Sequence, residues 1–120
     1  MKSFFLFLLG FYSIAIASTS SYQIENMAFP DDMPPEIGGL AFDKNGNLYA
    51  CLRRGDVLVT KPGKEPSSTE WKVFATGLHN PMGMELIGPG HIVVTQMAEF
   101  TEIIDTDKDG VADRYNNLAS

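Results

Sequence analysis

Residues 77–115 read GLHNPMGMELIGPGHIVVTQMAEFTEIIDTDKDGVADRY. The first half is β-rich and restarts a pattern that begins at Gly38. With an offset of 44 residues, Gly39 falls on Gly83, Leu40 on Met84 and Phe42 on Leu86. Gly46 falls on Gly90, Leu48 on Ile92, Tyr49 on Val93 and Ala50 on Val94. Carried on without a gap, the offset sets Val59 and Thr60 on Ile103 and Ile104. Few identities recur, chiefly the two glycines. What recurs is strand–turn–strand–turn–strand.

The first copy shows the pattern in full. Gly39–Asp43 reads as a short strand, and Lys44–Asn47 carries Asn-Gly, a strong hairpin signal. Asn47–Leu52 is the partner strand. Arg53-Arg54-Gly55-Asp56 is a second turn, and the β-branched run Val57–Lys61 a third strand. Pro62–Thr69 is a loop by composition. Glu70–Thr76 alternates, with Trp71, Val73 and Ala75 on one face and Lys72, Phe74 and Thr76 on the other, as in an edge strand.

A period of about 40–50 residues built from four short strands is the signature of a β-propeller blade. The expected fold is therefore all-β, with antiparallel four-stranded blades. Blade one spans 38–76 and an incomplete blade two spans 77–120, about one and a half blades. The plainer alternative is one small antiparallel sheet with two similar hairpins. A propeller needs roughly 4–8 blades, so the repeat implies a fragment of a longer chain, or a short protein that self-associates to cover its edges.

The N-terminus has a different character. Lys2 precedes an apolar run, Phe4–Ala17, that ends in Ala15-Ile16-Ala17, the pattern of a cleaved export signal over residues 1–17. The run falls short of the about 20 residues that span a bilayer; an uncleaved anchor is the alternative. Export to the periplasm or outside the cell is expected, with no membrane contact after cleavage. Residues 18–37, rich in Asp and Pro, form an extended lead-in.

The whole chain carries 9 basic and 15 acidic side chains, net −6. Loss of Lys2 leaves 8 against 15, net −7. That balance argues against a nucleic acid partner. The single cysteine, Cys51, cannot bridge internally and lies in an apolar run, as a buried inert thiol does.

The second half of 77–115 ends in an acidic run. Asp105, Asp107 and Asp109 alternate, Gly110 follows, and Asp113 comes three residues later. This opens as D-x-D-x-D-G, the calcium-loop pattern. Crowded carboxylates repel one another unless a cation sits between them, and Gly110 permits the turn that wraps the ion. The carbonyl of Val111 would supply the seventh position and Asp113 the ninth. The twelfth, a bidentate Glu in an EF-hand, is here Asn116, and no flanking helices are visible. A solvated turn is the competing reading.

No catalytic set is visible. His79 and His91 stand apart, Arg53-Arg54 is a short basic pair able to grip an anion, and Glu99 and Glu102 are not spaced as an acid/base pair. G-x-S-x-G, phosphate-loop and H-E-x-x-H motifs are absent.

Taken in order, Gly39-Leu40-Ala41-Phe42-Asp43, Gly46-Asn47-Leu48-Tyr49, Arg54-Gly55-Asp56-Val57-Leu58 and Gly77-Leu78-His79-Asn80-Pro81-Met82-Gly83 resemble the opening of the glucose/sorbosone dehydrogenase-like propeller family. Asp105–Asp113 resembles the D-T-D-x-D-G-x-A-D segment of its secreted bacterial branch. The likeness covers about Pro35–Asn117. It implies a six-bladed propeller that holds pyrroloquinoline quinone (PQQ) and Ca²⁺, and that oxidises sugars or alcohols. It also implies partners in the same parent chain, namely downstream blades and a haem-binding module that receives electrons. The family's base is a histidine, and neither His79 nor His91 sits in a matching context. The second function the sequence allows is a non-catalytic propeller that binds a polysaccharide or protein partner.

Overall fold

The computed structural model describes residues 21–120. The export signal read at residues 1–17 lies outside the described residues. Among these residues the chain forms eight strands and one short 3-10 turn, Pro66–Ser68. Strands β1 (Ile37–Phe42), β2 (Leu48–Leu52), β3 (Val57–Thr60) and β4 (Lys72–Ala75) make one antiparallel sheet in sequential order. Strands β5 (Gly83–Gly88), β6 (His91–Gln96), β7 (Glu99–Ile104) and β8 (Arg114–Ala119) make a second of the same kind. This is the blade-like, all-β architecture that the repeat predicts. The second unit is fuller than expected, because β8 is a complete six-residue strand.

Local chemistry explains the turns. Asp43 accepts from the backbone N–H of Asn45 and Asn47 and from the Asn47 side chain, all at 2.7–2.8 Å. These bonds close a five-residue loop between Phe42 and Leu48, which face each other in the ladder. Gly46 in this loop has φ 80°, and its repeat counterpart Gly90 has φ 66°. A left-handed conformation at both points is why glycine recurs there.

The two sheets stack face to face. Tyr49, Cys51, Val57 and Phe74 from the first sheet bury against Ile92, Val94 and Ile103 from the second, and Leu78 joins them from the connection between the sheets. Tyr49 and Phe74 meet edge to face at 5.3 Å. The first strands of the two sheets run close together. A Cβ on Gly38 would lie 2.1 Å from the Pro81 carbonyl oxygen, so only glycine allows the approach.

Two expectations are corrected. The simple alternation read into 70–76 fails, since Phe74 and Ala75 are both buried, at 1% and 2% exposure. The cause is a bulge: Val57 pairs Ala75 while Leu58 pairs Val73. The extra residue turns Phe74 onto the inter-sheet core. The ungapped offset also fails beyond the second strand. Tyr49 pairs Val59, whereas Val93 pairs Glu102. Val59 therefore corresponds to Glu102 rather than Ile103. The second sheet spends one residue fewer on its β6–β7 turn, a tight Met97-Ala98 hairpin between Gln96 and Glu99.

Candidate metal site and the dispersed polar residues

The acidic run is the loop between β7 and β8. Its backbone folds back onto its own carboxylates. Asp105 accepts from the N–H of Asp109 (3.2 Å) and of Gly110 (2.9 Å). Asp107 accepts from Asp109 N–H at 3.2 Å, and Asp109 from Val111 N–H at 2.8 Å. Gly110 takes φ 95° and Lys108 φ 63°, which let the chain curl within so few residues. Ala112 anchors the far side by donating its N–H to the Phe74 carbonyl at 2.7 Å. The loop is thus pinned to the first sheet, across the stack.

Three carboxylates converge. One oxygen each from Asp105, Asp107 and Asp109 lies within 4.8 Å of the others. Calcium takes oxygens at about 2.3–2.6 Å, so oxygens up to about 5 Å apart can share one ion. The spacing therefore suits a hard divalent cation. Electrostatics agree with the crowding. The Asp109 N–H bond favours ionised Asp107, but desolvation, the charge of Asp109, a side-chain hydrogen bond with Asp105 and the charge of Asp113 together outweigh it and hold Asp107 above the ordinary aspartate range.

Asp113 is placed differently from its three neighbours. Its carboxylate accepts from the N–H of Thr106 at 2.8 Å and from the Thr106 hydroxyl. The Thr106 side-chain bond, then the backbone one, lowers its pKa. The loop is closed by that Asp113–Thr106 clasp. Asn116 lies in β8, where its side-chain amide donates to Glu102 at 2.8 Å. Val111 is exposed beside the cluster.

The other polar residues are dispersed. His79 is exposed in a turn, its N–H donating to Gln96 Oε1 and its carbonyl accepting from Met97 N–H at 2.8 Å. His91 lies on the second sheet with Nε2 2.7 Å from Glu102 Oε1. The Asn116 bond, then the His91 bond, pulls Glu102 below its ordinary value. Sequence spacing does not show this histidine–carboxylate–asparagine row, because it depends on the register of three strands. Arg53 donates to Asn80 Oδ1 at 3.1 Å, and Arg54 pairs with Asp56 at 2.5 Å. Both arginines tie the β2–β3 turn to its surroundings. Cys51 is fully buried, and burial raises its thiol pKa, the inert state expected of it.

Beside the acidic loop a cleft of about 520 Å³ opens between the sheets, lined by Asn47, Tyr49, Val59, Gly90, Asp105 and Lys108 among others. The described residues do not suit PQQ. A tricarboxylated quinone needs several converging cationic side chains, and Lys108 is the single cation among the residues that line this cleft. Comparison with protein-family models, with curated proteins and with solved structures returns no match for this chain.

Proposed function

We propose that these two sheets are the opening, cation-binding part of an exported propeller of the glucose/sorbosone dehydrogenase-like kind. Their contribution is structural: Asp105, Asp107 and Asp109 hold Ca²⁺, with the Val111 carbonyl as a further oxygen. Asp113 serves through its clasp on Thr106, which fixes the loop's exit. The observation that supports this reading best is the convergence of three loop carboxylates within 4.8 Å. The bound ion would neutralise their repulsion and fasten the β7–β8 connection, which reaches back to Phe74 on the first sheet. With three carboxylates and the remaining positions left to carbonyl and water, affinity belongs in the weak class of extracellular modules, about 10⁻⁴–10⁻³ M.

In this reading oxidation of a sugar or alcohol belongs to the whole propeller. The quinone, its histidine base and the haem partner are not held by the residues described. The chain alone is then inactive. The test is thermal melting with and without millimolar Ca²⁺. A calcium-dependent rise in Tm is expected, and it should vanish in Asp105→Asn/Asp109→Asn. An unmutated chain whose Tm ignores Ca²⁺ removes the cation site. The dehydrogenase assignment is tested separately, by reconstituting the full-length parent with PQQ and Ca²⁺ and offering an aldose with a dye acceptor. A parent that binds no quinone removes the enzyme reading and leaves the cation site standing.

A further inference from the structure

Six asparagines occur in the chain, at 26, 45, 47, 80, 116 and 117, and only Asn45 precedes a glycine. That neighbour matters because the backbone nitrogen of the next residue can attack an asparagine side chain, and a Cβ on the attacking residue obstructs it. Asn45-Gly46 sits at the tip of the β1–β2 loop, beyond the strand ends and so off both faces of the sheet. Lys44, Asn45 and Gly46 are all exposed, and a Cβ built on Gly46 meets nothing within 4 Å. Exposed tips of small and polar residues are where a fold opens most readily.

The other asparagines are held or blocked. Asn47 donates its side-chain amide to Asp43 at 2.7 Å, Asn116 to Glu102 at 2.8 Å and Asn117 to Glu99 at 2.5 Å. Asn80 accepts from Arg53 and precedes Pro81, whose nitrogen carries no proton to lose. Asn26 precedes Met27, whose side chain crowds the attack. The matching turn of the second sheet has Pro89 in the place of Asn45 and lacks the pair. Among the described residues the Asn45 side-chain amide takes part in no hydrogen bond; only its backbone N–H is engaged, with Asp43.

We infer that Asn45 is a site of spontaneous deamidation whose rate is set by Asp43. A base removes the Gly46 N–H proton, and the nitrogen bonds to Asn45 Cγ. The side-chain amide leaves as ammonia, and a cyclic imide remains. Water then opens the imide at either carbonyl. Opening at Cγ gives aspartate; opening at the backbone carbonyl gives isoaspartate, whose main chain is longer by a methylene. The balance is amide and water in, carboxylic acid and ammonia out. Asp43 holds the reaction back. Its carbonyl accepts the Gly46 N–H at 3.1 Å, which occupies the nucleophile. Its carboxylate accepts the N–H groups of Asn45 and Asn47 at 2.8 Å each, which fixes the loop. The reaction proceeds through opening of this loop. It holds whether or not the acidic run binds calcium or the parent is a dehydrogenase.

The test is incubation of the purified chain in mildly alkaline buffer, followed by digestion after Lys44 and mass spectrometry of peptide 45–53. Electron-transfer fragmentation separates Asn45 from Asn47, and aspartate from isoaspartate. The mass gain of an amide-to-acid exchange is expected at Asn45, with isoaspartate in excess. Asn45→Gln, at an exposed position, should keep the circular dichroism of the unmutated chain and lose the gain. Asp43→Ala, measured below its own melting transition, should react faster. The modified chain, separated on ion exchange by its added negative charge, should melt lower, because the longer main chain no longer fits the bonds to Asp43. A chain that stays unmodified at Asn45, while a peptide of the same sequence as residues 41–49 deamidates, overturns the inference. So does a gain at another asparagine ahead of Asn45, or an Asp43→Ala rate no higher than that of the unmutated chain.

Discussion

The Gly90 N–H, in the first turn of the second sheet, reaches the Tyr49 hydroxyl of the first sheet at 3.4 Å. Tyr49 thereby spans the junction: its ring packs on Phe74 and its oxygen meets the neighbouring sheet. The bond is long, so its loss in Tyr49→Phe should cost only about 0.5 kcal/mol, the low end for a hydrogen bond. The larger effect lies in pH. Burial raises the Tyr49 phenol above 10.0, against a lowering by the Gly90 bond. A raised folded value means that its stabilisation is complete below 10.0 and lost as pH rises from there through the higher folded value. Melting curves taken above about pH 10 should fall more steeply for the unmutated chain than for Tyr49→Phe. Equal slopes would show that Tyr49 ionises freely.

Phe74→Ala should be among the most damaging single changes. The ring is 1% exposed in a core shared by both sheets, and truncating such a ring costs about 3–5 kcal/mol. Phe42→Ala, at a position 63% exposed, should stay within about 0.5 kcal/mol. Chemical denaturation of the two variants gives the comparison. Similar midpoints would place Phe74 outside the core.

The repeat made the strands readable. Glycine at 46 and 90, and alternating apolar residues between them, mark both sheets because backbone φ and side-chain period are local properties. What stayed hidden depends on pairing. Alternation set Phe74 and Ala75 on opposite faces, and only the bulge opposite Val57 and Leu58 lets both be buried. The counterpart of Val59 was misplaced by one residue because turn length, not side-chain character, sets the offset after β2. The acidic loop was legible because its carboxylates are neighbours in the chain. The Asp113–Thr106 clasp and the Asn116–Glu102–His91 row were not, because each needs a strand register or a loop closure that residue types do not specify.

The shorter β6–β7 turn suggests a stabilising change. Ala98 sits at φ 72° in a two-residue hairpin, a conformation that costs an L-residue about 1 kcal/mol and glycine nothing. Ala98→Gly should stabilise the chain by about 0.5–1 kcal/mol, less the entropy that glycine loses on folding. A higher denaturation midpoint with an unchanged slope is the expected result. A lower midpoint would mean that Ala98 makes a contact worth more than the strain.

Glu102 should report on its row. Its carboxylate is held below the ordinary glutamate value first by Asn116 and then by His91. Its stabilisation is therefore present above 4.5 and lost as pH falls through the lowered folded value. In Asn116→Ala the main cause is gone, so the Glu102 carboxyl signal should titrate at higher pH by nuclear magnetic resonance. An unmoved titration would show that the amide does not bind the carboxylate in solution.

Proton competition should separate a cation loop from a solvated turn. Asp107 is held above the ordinary aspartate range, because desolvation and three neighbouring carboxylates outweigh its bond from Asp109 N–H. A proton there takes the place of the cation. Calcium affinity should therefore fall as pH drops through this raised value, beginning higher than an ordinary aspartate, near 3.9, would dictate. Asp107→Asn removes the titrating group. Its calcium affinity should be weaker near neutrality, through the lost charge, and flatter at acid pH. Calorimetric titration of both proteins at descending pH measures the two curves. Parallel curves would show that Asp107 is no ligand. A steep curve for the unmutated chain beside a flat one for Asp107→Asn would place the ion among the three converging carboxylates, where its charge relieves the repulsion that raises Asp107.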